Sequence, residues 1–171
     1  MTKPRWLDAR EAHLWRSWLR LNQELLSRLE EQIGREGDLS GPDYAVLVPL
    51  SASPDGMLRA RELGREILWD RSRLSHHLGR MEKRGLVVRE ECAEDARGAM
   101  VRMTDAGRAA IKRAAPGHVA ATRSYFFDLL SNKEVDLLTT LFDRVLANLD
   151  RDDCRRRGRD SDGRAGQKPR R

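Results

Sequence analysis

Between Leu58 and Thr104 the chain carries two short helical patterns with almost nothing between them, then two short strand patterns, and few folds accommodate that order. The first helical pattern, roughly Arg59 to Ile67, places Leu63 and Ile67 one turn apart on the same side. A two-residue joint, Leu68-Trp69, leads to Asp70, whose carboxylate suits the cap of a second helix. There Leu74, Leu78 and Met81 recur at the spacing of one face and are expected in the core. Gly85 stands where a helix ends in a left-handed residue, and Leu86-Val87-Val88-Arg89-Glu90-Glu91 then reads as a strand. A polar loop containing Glu94-Asp95-Ala96-Arg97-Gly98 separates it from a second strand, Met100-Val101-Arg102-Met103. The order predicts a mainly α fold with a small β-hairpin: a winged helix-turn-helix.

The face opposite Leu74, Leu78 and Met81 carries Ser72, Arg73, Ser75, His76, Gly79, Arg80 and Lys83, with no acid among them. Arginine pairs two-pronged with guanine, hydroxyls serve bases or phosphates, and glycine permits close approach. Charge alone would equally describe a solvated cationic face. The context favours DNA, because the second helix of such a motif enters the major groove. Residues 59–89 hold nine Arg or Lys against four acids, a local balance of +5. Arg97, near the wing tip, is placed for the adjacent minor groove, where negative potential is concentrated. A carboxylate is repelled by phosphate, so Asp95 is read as orienting Arg97 or the loop. Alternatively, the Asp95–Arg97 pair only holds the hairpin closed.

These residues resemble the MarR family of bacterial transcription regulators. The resemblance rests on the run from Trp69 to Leu78, on Met81-Glu82-Lys83-Arg84-Gly85-Leu86-Val87-Val88-Arg89-Glu90, on Asp95-Ala96-Arg97, and on Met103-Thr104-Asp105-Ala106-Gly107. It extends more weakly over about residues 8 to 150. It implies a triangular homodimer that binds an inverted-repeat operator in double-stranded DNA and usually acts as a repressor. In several members a small aromatic or phenolic compound releases the DNA. Relatives that sense peroxides carry a reactive cysteine in the first helix, and this chain has none there.

The chain of 171 residues is long enough for one domain with a real core. Four parts are expected: an N-terminal dimerisation helix (1–38), the winged helix-turn-helix (39–104), C-terminal dimerisation helices (105–150) and a disordered basic tail (151–171). The tail holds +5 of the total charge of +6, so the basic isoelectric point is weak evidence for DNA binding by the folded part. The tail reads either as an added phosphate attractant or as a solubilising extension. Asp8 with Glu11, and Ser131 with Glu134, have the spacing of capping boxes. Each precedes a wide apolar stripe: Leu14, Trp18, Leu21, Leu25 and Leu29, widened by Trp15, Leu19, Leu26 and Ile33, then Leu137, Leu138, Leu141, Phe142, Val145, Leu146 and Leu149. Terminal helices apolar on more than one side favour a two-fold dimer over a monomeric bundle. Ser40, Pro42 and Asp43 open another helix, and Pro116-Gly117 is expected to break or kink the link from the wing to the last helix.

No apolar run approaches the roughly 20 residues that cross a bilayer, no secretory pattern follows Met1, and the expected location is the cytoplasm. Cys92 and Cys154 fall in the wing and the tail, a poor basis for a structural disulfide. Redox control through Cys92 is a minor alternative. The four histidines, His13, His76, His77 and His118, share no metal-binding face, and the sequence holds no nucleophile elbow, phosphate loop or metalloprotease motif. No enzyme activity, metal or cofactor is expected. Trp15, Trp18, Tyr44 and Trp69 are candidates for the walls of a pocket for a planar aromatic ligand, or are simple core packing; His13 or Arg16 would supply a polar handle. Two competing functions share these features: a winged-helix protein-interaction module, and a nonspecific architectural DNA binder driven by the tail.

Overall fold

The computed structural model describes the backbone of residues 4–92 and 95–164, with side chains except at 36–37, 91–98 and 152–164. The chain forms two compact units, Met1–Tyr125 and Phe126–Arg171. The first holds α1 (Ala9–Gly37), α2 (Gly41–Ala52), β1 (Met57–Arg59), α3 (Ala60–Glu66), α4 (Arg71–Lys83), β2 (Val87–Cys92), β3 (Asp95–Met103) and α5 (Asp105–Tyr125). The second holds a short 3-10 turn (Phe127–Leu129) and α6 (Asn132–Arg164).

Reciprocal caps start three helices. Asp8 accepts from the amides of Arg10 and Glu11 at 2.7 and 2.8 Å while Glu11 accepts from the Asp8 amide at 2.9 Å. Ser40 and Asp43 repeat this at α2, and Ser131 and Glu134 at α6. Each side chain satisfies an amide that the first helical turn leaves without a partner. Along α1 the apolar stripe divides. Leu29 and Ile33 are buried, whereas Leu14, Trp15, Trp18, Leu19, Leu21 and Leu26 are exposed. Only the last turns of α1 therefore join the core, which is built on Val46, Leu47 and Leu50 of α2, Leu63 of α3, Leu74, Leu78 and Met81 of α4, Val87 and Val101 of the sheet, and Ile111 and Ala114 of α5.

The described sheet has three antiparallel strands in the order β1-β3-β2, where the sequence predicts a two-stranded hairpin. The added strand pairs Met57 with Arg102 and Leu58 with Val101. Three residues are too few to show alternation, so β1 is specified by its partner and not by its own pattern. The wing also differs. β3 begins at Asp95, opposite Cys92, with an irregularity between Glu91 and Cys92, so positions 95–98 are strand and not loop. Ladder hydrogen bonds use the backbone, and a polar stretch extends the pairing without an apolar face.

Two further expectations are corrected. α5 runs unbroken through Pro116, which is exposed, as is Lys112, the residue whose carbonyl loses its donor. α6 continues to Arg164, past residue 151, where the sequence leads one to expect the start of a disordered tail. Within the second unit Leu137, Val145, Leu146 and Leu149 of α6 are more than half exposed.

Candidate nucleic-acid interface

The joint before α4 is tight. Leu68 adopts φ 55°, the left-handed region, and this brings the Trp69 amide to 2.8 Å from the Gly64 carbonyl it donates to. Asp70 then caps α4 by accepting from the Arg73 amide at 2.8 Å. Leu74, Leu78 and Met81 are at most 3% exposed, which fixes the rotation of the helix. The opposite side is thereby turned outward: Ser72, Arg73, Ser75, His76, Arg80 and Lys83 are all exposed. Arg71, Ser72, Ser75 and His76 line an open hollow of about 560 Å³. At the far end Gly85, at φ 69°, donates to the Glu82 carbonyl and turns the chain into β2.

The one acid in α4, Glu82, borders this surface on the side of Ser75 and is paired. It accepts from the Arg89 backbone amide at 2.9 Å and from Arg89 Nε at 2.8 Å, joining the recognition helix to the wing strand. The Arg89 hydrogen bond holds the Glu82 carboxyl below its ordinary range. Within the wing, Arg102 donates through Nε and Nη2 to the two oxygens of Glu90 at 2.7 and 2.8 Å. Both of these acids are thus engaged by arginines, and the exposed face of α4 keeps its positive charge. The side chains of Arg97 and Asp95, and that of Cys92, lie outside the described residues.

The aromatic candidates occupy three settings. Trp15 and Trp18 are on the exposed part of α1. Tyr44 packs against His118, ring centroids 4.5 Å apart. Trp69 lies beneath the Arg73 guanidinium at 4.3 Å and meets His77 edge-on at 5.3 Å, so it supports the recognition helix directly. His13 and Arg16 are exposed on α1.

Behind α4 lies a polar cluster that the sequence patterns do not predict. Asp43 and His77 are the buried polar side chains among the described residues. Asp43 Oδ1 lies 2.9 Å from His77 Nε2, and Asp43 Oδ2 accepts from Arg84 Nη1 at 2.6 Å and from the Ser40 amide at 2.9 Å. Arg84 also donates to the Asp38 carbonyl, and Arg80 Nη2 lies 2.7 Å from His77 Nδ1. Spacing does contain a signal: His77 follows Leu74 by three and precedes Met81 by four, which is the apolar face. Among the described residues no group of three His, Cys, Asp or Glu is placed to hold a metal, and no helix is long and apolar enough to cross a membrane.

Comparison with known proteins agrees with this geometry. A family model described as MarR family matches residues 37–98. The chain is similar to AbsC, a MarR family transcriptional regulator from Streptomyces coelicolor, with a TM-score of 0.82 and 35% identity over 85% of this chain and 98% of that one. It is similar to Sco3205, a MarR family regulator from the same organism solved in complex with DNA, with a TM-score of 0.80 and 39% identity over 85% and 90% of the two chains. A third likeness is to the PcaV transcriptional regulator, also from Streptomyces coelicolor, in complex with its natural ligand, at a TM-score of 0.63 and 25% identity over 83% and 96%.

Proposed function

The chain belongs to the MarR family of transcriptional regulators, and from that premise we propose that it is a homodimeric, cytoplasmic, non-enzymatic repressor that binds an inverted-repeat operator and leaves it when a small aromatic ligand binds. The observation that carries the DNA-binding reading is the outward face of α4, with Ser72, Arg73, Ser75, His76, Arg80 and Lys83 exposed on a helix whose other side is locked into the core. Each subunit inserts this face into one major groove, the two half-sites lying about one helical turn apart. Arg97 serves the flanking minor groove, and Asp95 orients it. The exposed apolar positions of α1 and, in the other unit, of α6 support the dimer: side chains such as Leu14, Trp15, Leu137 and Val145 are more than half exposed in the single chain. Trp15, Trp18, Tyr44 and Trp69 remain the candidate ligand contacts, and the ligand-bound PcaV supports a ligand of some kind.

Arg73 offers the sharpest test. Its guanidinium rests on Trp69, which restricts it before any DNA arrives and lowers the entropy lost on binding. Arg73→Ala is expected to weaken operator binding by about 1 to 3 kcal/mol while leaving random DNA little affected, because a base contact discriminates and a phosphate contact does not. Fluorescence anisotropy titrations on both duplexes measure this. Equal weakening on the two would contradict base reading by Arg73 and make it a phosphate contact.

A further inference from the structure

The buried cluster behind α4 ends in a residue of the outward face. His77 has a side chain 6% exposed and Asp43 one of 2%, and the two atoms His77 offers are both used. A carboxylate only accepts, so His77 Nε2 carries the ring proton and donates to Asp43. A guanidinium only donates, so His77 Nδ1 is the bare nitrogen and accepts from Arg80. Both neighbours select the same neutral tautomer. Arg80 stands one turn beyond His76 on the exposed face, and with one Nη held its remaining donors are offered from a fixed point. A free arginine at that position would search many rotamers.

We propose that His77 is a positioning residue for DNA recognition: the neutral imidazole, oriented by Asp43, fixes the Arg80 guanidinium at the major-groove face and so sets part of the preference for operator over random sequence. This role rests on the reading that the outward face of α4 enters DNA. A second proton on His77 has only Nδ1 to occupy, where it faces the Arg80 donors and removes their acceptor. Arg80 is then released. The charged groups around the ring are Asp43 from α2, Arg80 from α4 and Arg84 at its C-terminal cap, and Trp69, from the joint with α3, meets the ring edge-on without titrating. Burial pushes the His77 pKa down, Asp43 opposes this, and the two arginines add to it. Release of Arg80 therefore develops on acidification below the ordinary histidine value of about 6.5.

The test uses the full chain and a duplex enriched by the wild-type protein from random-sequence DNA, with a scrambled duplex as reference. Anisotropy titrations between about pH 5 and 8 compare the wild type with His77→Gln, His77→Leu, Arg80→Ala and the double variant His77→Leu/Arg80→Ala, with the melting temperature of each recorded. At neutral pH His77→Leu and Arg80→Ala are each expected to lower the operator-to-random ratio about five- to tenfold, and the double variant to be no worse than Arg80→Ala. Shared loss of this kind is what coupling through one contact means. His77→Gln donates through Nε2 and accepts through Oε1, so it is expected to keep the ratio and to lose the fall seen in the wild type on acidification. His76 is present in both proteins, so only the difference between them is read. An unchanged ratio in His77→Leu, fully additive losses in the double variant, or an acid response in His77→Gln identical to the wild type would each overturn the proposal. Failure of the wild type to prefer any duplex would overturn the DNA reading itself, a result distinct from any of these.

Discussion

Asp43→Ala is expected to lower the unfolding free energy by about 3 kcal/mol, the low end of the range for removing one partner of a buried ion pair. The carboxylate is almost wholly buried and accepts from three donors: the Ser40 amide, His77 Nε2 and Arg84 Nη1. Truncation strands the His77 N–H in the core and removes the acceptor of the Ser40 amide, one half of the capping box of α2. Arg84, 44% exposed at its side chain, can turn to water, which is why the low end of the range applies. Asn at this position does not rescue, because its NH₂ must face either the His77 N–H or the Arg84 guanidinium, a donor against a donor. Urea unfolding near pH 7 checks the magnitude, and a loss below about 1 kcal/mol would show that the cluster does not brace the fold.

The same cluster gives stability a direction with pH. Burial holds His77 neutral below its ordinary value, so the unfolded chain binds the proton first and stability falls as the pH drops from about 6.5 toward the lowered folded value. For Asp43 burial opposes the charge, but hydrogen bonds from Ser40 and Arg84 outweigh it and the carboxyl sits below its ordinary range. Its contribution is intact above the ordinary carboxylate value and is lost as the pH falls through the depressed one. Both ionisations therefore weaken the fold in acid, in two successive windows, and neither weakens it on the alkaline side.

Gly107→Ala carries the other large effect, about 3 kcal/mol or more of destabilisation. A Cβ at this position would stand 2.1 Å from the Leu86 carbonyl oxygen and 3.1 Å from Met103 Cγ. The Leu86 backbone cannot retreat easily: its amide donates to the Met81 carbonyl at the end of α4, and its carbonyl accepts from Thr104 at the start of α5. Overpacking here must push α5 away from the junction of recognition helix and wing. In an open helix the same substitution gains up to about 1 kcal/mol, so the sign is diagnostic. Gly34→Ala, whose added methyl would meet its nearest neighbour, the Leu39 carbonyl oxygen, at 3.9 Å, is the matched control and is expected not to destabilise. Thermal melts of the two variants separate the cases, and a Gly107→Ala melt at or above that of the wild type would contradict the close approach.

How much of the fold is legible in the sequence depends on the range of the interactions involved. Leu74, Leu78 and Met81 report a helical period within eight residues, and the exposed side of α4 is its geometric complement, so the recognition face can be read locally. The caps at Asp8, Ser40 and Ser131 are legible for the same reason, since donor and acceptor lie three residues apart. Met57-Leu58-Arg59 becomes a strand through partners more than forty residues on, and no local pattern can announce it. His77 is hidden by its type. A histidine on an apolar face reads as polar noise until Asp43, thirty-four positions away, appears opposite its Nε2. The proline in α5 misleads because the rule against it concerns lost hydrogen bonds, and both Pro116 and Lys112, whose carbonyl loses its donor, lie on the exposed side of the helix.

Whether the outward face of α4 reads a particular DNA sequence is tested most directly by selecting duplexes from a random-sequence library with the purified full-length chain and titrating the enriched pool against excess unselected DNA at two salt concentrations. An inverted repeat with half-sites about one helical turn apart is expected to be enriched, and to form one discrete complex that survives the competitor. Enrichment of no sequence, with binding that random DNA removes in full and that disappears with the basic residues after Asp150, would contradict sequence reading by α4.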